Sequence, residues 1–342
     1  MNNASIIGWK PQNYHAASAR IRCLNTVRRL RAEKFPVELY NEKHESTYKA
    51  VVFSKGYKDR DLEIAQRLKQ RGVIVVFDLC DNHFLLAEDR VARLRKMFDL
   101  ADYWVVSSEA LAEMVRRNFD TVKPLWIIED AVEEALRGPV LDVFGWLKAY
   151  YRLLQLRRFL NNSPAGHAAM HLAWFGVHKA SYGDAGLVHM AKLRPLLEAS
   201  CTQHPITLTV ISNSREAFEK IFAGWNLPVH YVDWSPHTFF AALKLHDVAL
   251  IPIEVNEFTE VKTNNRIALS LNLGLGVLAD SIPSYRVFAQ CAFLDDWERG
   301  LNEYIFNPDL VSQHSACGRK VISERFSGPV IASRWKKLFE SL

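Results

Sequence analysis

Short apolar runs alternate with longer amphipathic ones along the chain. In the first half ASIIGW (4–9), VELY (37–40), AVVFSKG (50–56), VIVVFDL (73–79), YWVVSS (103–108) and LWIIED (125–130) read as strands. Between them SARIRCLNTVRRLRAEK (18–34) places Ile21, Leu24, Val27 and Leu30 on one helical stripe. DRDLEIAQRLKQRG is a second amphipathic helix, ended by Gly72, and ALAEMVRRNF a third. The second half repeats the pattern with HLAWFGV (171–177), ITLTVIS (206–212), VHYVDW (229–234), DVALIPI (247–253) and GVLAD (276–280) as strands. Such alternation predicts an α/β chain with two doubly wound parallel sheets, each in its own Rossmann-like domain. No repeat is visible at the residue level.

The expected division is a first domain over 1–134, a helical linker over 135–165, a second domain over 166–309 and C-terminal helices over 310–342 that return toward the first domain. The linker holds Lys148, Arg152, Arg157 and Arg158 among many Leu, Phe, Trp and Tyr residues. Two readings of 139–160 stay open: a helix packed between domains, or a basic amphipathic helix touching a membrane surface. NNSPAG then reads as a loop at a domain boundary.

Composition narrows the class. With 342 residues, 49% hydrophobic and 24% charged, the chain is long enough for two ordinary globular domains. A net charge of +5, without a dense basic stripe, argues against nucleic acid and fits anionic substrates or an anionic membrane. Five widely spaced cysteines with no C-x-x-C motif argue against a disulfide framework or a cysteine zinc site. The expected location is the cytoplasm, peripheral to the inner face of the membrane should 139–160 touch it. MNNASIIGWK lacks a signal-peptide pattern, and no run is long enough to span a bilayer.

The strongest chemical signal is EVKTNNRIALSLNLGLG (260–276), which lies between two strands. A helix N-terminus carries roughly half a unit of positive charge and favours acids. This one offers Lys262, Thr263, Asn264, Asn265 and Arg266. Thr263 is the expected cap, with free amides beyond it, and Lys262 and Arg266 are four residues apart. The pattern predicts a phosphate or diphosphate site at the carboxyl edge of a sheet, where open α/β folds bind ligands.

The span DVALIPIEVNEFTEVKTNNRIALSLNLGLGVLADSIPSY resembles the donor domain of the GT-B glycosyltransferases. It is most similar to the retaining, family 4-like branch that includes glycogen synthase and many bacterial polysaccharide enzymes. Pro252, Lys262, Arg266 and Gly274 carry the likeness, the lysine lying 274 − 262 = 12 residues before the glycine. The resemblance implies a GT-B fold with two Rossmann-like domains facing a central cleft, the first acceptor-side and the second nucleotide-sugar-binding. It also implies transfer of a sugar from a nucleoside-diphosphate sugar to a glycan or glycolipid acceptor, with no cofactor, no catalytic metal, and Lys262 and Arg266 on the diphosphate.

The chain departs from the pattern at an acidic pair. The glutamate that holds the ribose in many relatives would fall at Leu269, and its partner at Val261. Glu254 and Glu257, in the loop after Pro252, are candidates for the missing role. A non-catalytic subunit and a UDP-sugar epimerase are the alternatives this leaves open.

Further candidates follow from position. Trp234 would stack on the base, or fill the core; Ser212 and Asn213 would reach the nucleotide, or cap a helix. In WFGVHKASYGDAG, His178 and Lys179 are offset candidates for the donor phosphates. In FDLCDNHF, Asp78, Asp81 and His83 are candidate catalytic groups and Asn82 an acceptor contact, with a divalent metal and a helix cap as competing explanations. Ser18 and Arg20, at the first strand-to-helix connection, are the remaining acceptor-side candidates; Arg20 and Arg22, at a helix start, read equally as a second anion contact or as a solvated basic face. No G-x-G-x-x-G or Walker A motif occurs.

Overall fold

A computed structural model describes residues 6–14, 16–120, 123–135, 142–162, 169–178 and 186–342. The first sheet contains β1 (Ile6–Pro11), β2 (Val37–Leu39), β3 (Tyr48–Ser54), β4 (Ile74–Leu79), β5 (Tyr103–Val106) and β6 (Leu125–Ile127). Their order is β2-β1-β3-β4-β5-β6, all parallel. The second sheet contains β7 (Met170–Phe175), β8 (Ile206–Ser212), β9 (Val229–Asp233), β10 (Val248–Ile251), β11 (Gly276–Ala279) and β12 (Phe293–Leu294). Its order is β12-β11-β10-β7-β8-β9, again parallel. Helices cover both faces, so β8 is buried at all seven positions, as a parallel sheet requires.

Each sheet reverses its winding once, between β1 and β3 in the first and between β7 and β10 in the second. A crevice opens at the carboxyl ends of strands at such a point. The two crevices adjoin.

Helices α1 (Asn25–Ala32), α2 (Asp59–Gln70), α3 (Glu88–Leu100) and α4 (Glu109–Asn118) belong to the first sheet. A π-helical turn over Ala19–Leu24 leads into α1. The linker forms α5 (Val143–Asn161), whose Leu153, Leu156 and Leu160 join the second domain's core. Arg152 of α5 pairs with Asp233 of β9. The second domain continues through α6 (Arg194–Gln203), α7 (Arg215–Phe222), α8 (Phe239–Leu243), α9 (Asn265–Leu273), α10 (Trp297–Phe306) and α11 (Asp309–Arg325).

The last helix, α12 (Gly328–Ser341), packs Ile331, Trp335, Leu338 and Phe339 against Trp9, Val27 and Leu30 of the first domain. The Trp9 and Trp335 ring centroids are 4.5 Å apart. The two chain crossings touch where Val132 N–H donates to the Phe326 carbonyl at 2.8 Å.

Two local features differ from the sequence reading. Cys291 and Cys317 form a disulfide, because α11 packs beneath the turn at Pro283–Phe288 and brings together residues 26 apart. Thr263 is not the cap of α9: the helix starts two residues later, with Asn264 at the N-cap and no side chain accepting there. Gly274 closes it in the left-handed conformation. No helix among the described residues is long and apolar enough to cross a membrane.

Candidate active site in the interdomain cleft

A cavity of about 370 Å³ lies between the domains. Its second-domain wall is built from the ends of β7 and β10 and the start of α9: Trp174, Gly176, Pro252, Lys262, Thr263 and Arg266. Ser18, Lys55, Cys80, Asp81 and Asp130 face them from the first domain.

The polar groups on this wall include two cations, Lys262 and Arg266. Arg266 enters between the rings of Trp174 and Phe175, its guanidinium carbon 5.3 and 5.2 Å from their centroids. Its Nε and Nη2 are sealed from solvent and have no hydrogen-bond partner, and the Trp174 Nε1–H is in the same state. Burial pulls the guanidinium below its usual range, with Tyr285 opposing the shift. The Tyr285 phenol, on the same wall, is pushed up to about 12 by burial. The first turn of α9 contains no acid. A Cβ on Gly176 would lie 3.2 Å from the Trp174 ring, so glycine leaves room for the indole that lies against Arg266.

Asp81 faces Lys262 from the first domain, 3.3 Å from its Nζ, and also holds Lys55 at 2.5 Å. Burial by itself would raise this carboxyl; the Lys262 and Lys55 ammoniums hold it well below the usual carboxylate range. Lys262 lies 4.2 Å from the Phe258 ring centroid. Asn265 donates to Asp130 at 2.5 Å, so two first-domain carboxylates reach the start of α9.

Other predicted residues have different surroundings. Asp78 is fully buried at the floor of a smaller cavity that adjoins the cleft, in a network with Arg22, which also grips Asp130, and it accepts from Ser54 at 2.8 Å. His83 is 1% exposed, bonded through Nδ1 to the Tyr57 hydroxyl at 2.8 Å, and on neither cavity's wall. Burial lowers it to about 3, with Lys55 adding to the shift. Asn82 caps the turn after β4 through Phe84 N–H and donates across the cleft to the Glu257 carbonyl at 3.0 Å. The carboxylates of Glu254 and Glu257 are exposed on the rim loop. Leu269 and Val261, at the positions of the missing acids, are both buried in apolar cores.

Ser212 and Asn213 brace the turn after β7: Ser212 donates to the Gly176 carbonyl and Asn213 accepts from His178 N–H. The cap of α7 is Ser214. Trp234 is covered by Arg20, whose guanidinium lies 4.8 Å from the ring centroid and also pairs with Glu133. His178 is not on the cavity wall; Lys179 lies outside the described residues. Asn264 lines a separate interdomain cavity with Ser107 and Ser284. Among the described residues no group of three metal-ligating side chains is placed to hold an ion.

Among the residues lining the cleft that the sequence reading did not single out are Lys55, Asp130, Trp174, Gly186, His189 and Tyr285. Lys55 follows β3 directly, at the carboxyl edge, and adopts a φ of 57° in the left-handed region. Position at a strand end was the available signal. A polar pocket of about 190 Å³ adjoins the cleft on the first-domain side, lined by Gln12, Asn13, Ser18, Lys55 and Cys80 among others.

No family model and no curated protein sequence matches the chain. Solved structures do. The chain is similar to a sucrose-phosphate synthase from Thermosynechococcus elongatus (TM-score 0.61, 15% identity, 87% of this chain and 75% of that one). It is also similar to an α,α-trehalose-phosphate synthase (UDP-forming) from Burkholderia vietnamiensis (TM-score 0.58, 12% identity, 85% and 71%). A third is TarM of S. aureus, in complex with UDP and α-GlcNAc-glycerol (TM-score 0.59, 11% identity, 85% of this chain and 55% of that one). The chain has the GT-B fold: two parallel Rossmann-like sheets facing one cleft.

Proposed function

We propose that the chain is a glycosyltransferase that takes its donor as a nucleoside-diphosphate sugar, with the diphosphate at the start of α9. One observation carries this reading: Arg266 and Trp174, which line the interdomain cavity, hold three sealed N–H donor groups without partners. Buried donors without partners cost roughly 1–3 kcal/mol each, more when charged, so their arrangement favours an anionic ligand that would satisfy them. Lys262, Thr263 and the uncapped amides of α9 add to the same field. UDP is the first nucleotide to test, because similar structures are described as UDP-forming or as complexes with UDP.

In this reading Arg266, Lys262 and the helix amides stabilise the departing diphosphate, the role a metal fills in other transferases. Retention of configuration rests on the resemblance of the Pro252–Gly274 span. A sugar hydroxyl of the acceptor, glycan or glycolipid, enters from the pocket beside Gln12 and Ser18. The exposed side chains Val143, Phe144, Leu147 and Tyr151 of α5, in a helix with four basic residues and no acid, favour a peripheral contact with anionic lipid.

Titration calorimetry with UDP, GDP and ADP tests the donor site. At least one should bind, and Arg266→Ala should weaken it by about tenfold or more. Failure of all three to bind would overturn the reading. Incubation with the matching nucleotide sugars, followed by NMR, separates transfer or slow hydrolysis from epimerisation. A protein that binds donor but turns over none of it would be the non-catalytic subunit, which the buried Leu269 and Val261 favour.

A further inference from the structure

The opening of α9 has cations and no acid of its own, yet in this structure it is not without counter-charge. The carboxylates come from the other domain. Asp81 contacts the Lys262 ammonium at 3.3 Å and Asp130 accepts from Asn265 at 2.5 Å. Asp130 is committed elsewhere, because it is 4% exposed and gripped by Arg22. Asp81 is different: it borders the cavity, its carboxylate is shared between two lysines, and its shorter contact is to Lys55 of its own domain.

We infer that Asp81 is a stand-in anion, holding Lys262 across the cleft until a donor diphosphate displaces it. The inference rests on the diphosphate site proposed above. A diphosphate at the start of α9 carries more charge than one carboxylate and would also bond Arg266, which Asp81 does not reach. Lys262 then turns to the phosphate while Lys55 keeps Asp81 neutralised. Lys55 is thus a positioning residue: it makes the release of Lys262 possible without leaving a bare carboxylate in a half-buried site. Donor entry also cuts one of the polar ties between the domains, leaving the Asn82–Glu257 and Ser108–Val261 contacts in place.

The test is UDP titration of the full chain at fixed ionic strength, with thermal melting to verify folding. Asp81→Asn removes the competitor and should bind UDP roughly three- to tenfold tighter. Structural damage would not produce tighter binding. Plain charge repulsion would, and a cycle separates the two: in a Lys262→Ala background the gain from Asp81→Asn should shrink below about twofold. Lys55→Ala, which leaves Asp81 to Lys262 alone, should weaken UDP binding and serves as the readout should Asp81→Asn not fold. Unchanged or weaker binding by folded Asp81→Asn overturns the inference, and so does a gain that persists in full without Lys262. A wild-type chain that binds none of UDP, GDP and ADP overturns the donor site itself; one that binds UDP normally while the cycle shows no coupling overturns only the stand-in.

Discussion

Arg20 of the first domain lies over Trp234 of the second, 4.8 Å from guanidinium carbon to ring centroid. One face of the indole is therefore part of the domain contact. A cation over an indole contributes about 0.5–2 kcal/mol depending on exposure. Trp234→Ala is expected to lower the melting temperature by a few degrees while UDP affinity stays within about twofold. A larger loss of affinity, measured by calorimetry, would return Trp234 to the nucleotide.

Gly186 sets the wall of the cleft. Its φ is +90°, and a Cβ there would lie 2.1 Å from the Val177 carbonyl oxygen. Alanine cannot be accommodated without moving the turn that carries Gly176 and His178. Gly186→Ala is expected to cost about 1–3 kcal/mol of stability and about tenfold in UDP affinity. Wild-type values for both in the variant would show that this turn adjusts freely.

Stability should fall on mild acidification. Burial holds His83 down at about 3, with Lys55 adding to the effect, and His246 at about 4 although the carbonyls of Leu243 and Ala242 oppose it. In the unfolded chain both titrate near the ordinary value of about 6.5. Between those limits the unfolded state binds more protons, so the contribution is complete above about pH 6.5 and is lost as pH drops toward the folded values. Each histidine adds a slope of up to about 1.4 kcal/mol per pH unit. Urea unfolding between about pH 7.5 and pH 5 measures this, and His246→Gln should flatten the profile. A level profile in the wild type would contradict the buried neutral state.

The outer face of α5 yields a binding test. Phe144 is 86% exposed, Tyr151 57% and Leu147 50%, with Lys148, Arg157 and Arg158 exposed on the same helix. Burying each apolar side chain in lipid would contribute about 1.5–3 kcal/mol. The protein is expected to co-sediment with vesicles containing phosphatidylglycerol and not with neutral ones. The double variant Phe144→Asp, Leu147→Asp should reduce binding by about tenfold or more. Absence of wild-type binding to anionic vesicles would leave this face for another partner.

The strands were legible because a parallel strand covered on both sides is a run of apolar residues, as in VIVVFDL and ITLTVIS. β12, with two residues, has too little pattern to see. Lys262 and Arg266 were legible because cations at a helix start violate a local rule. What they face was not: Asp81 lies 181 residues away from Lys262 along the chain. Asp78 looked catalytic by its place after a strand, and only the π-helical turn that delivers Arg22 shows it held in a buried ion network. Cys291 and Cys317 gave no signal, since their meeting depends on how α11 docks.

The first sheet's covering is completed by α12, the last 14-residue helix of the chain. While the chain emerges from a ribosome, Trp9 has no Trp335 to pack against until the whole second domain, which ends with α11 at Arg325, has been made. The second domain is thus able to mature first, and the N-terminal half waits with an apolar face open, a period in which chaperone engagement or aggregation would act on it.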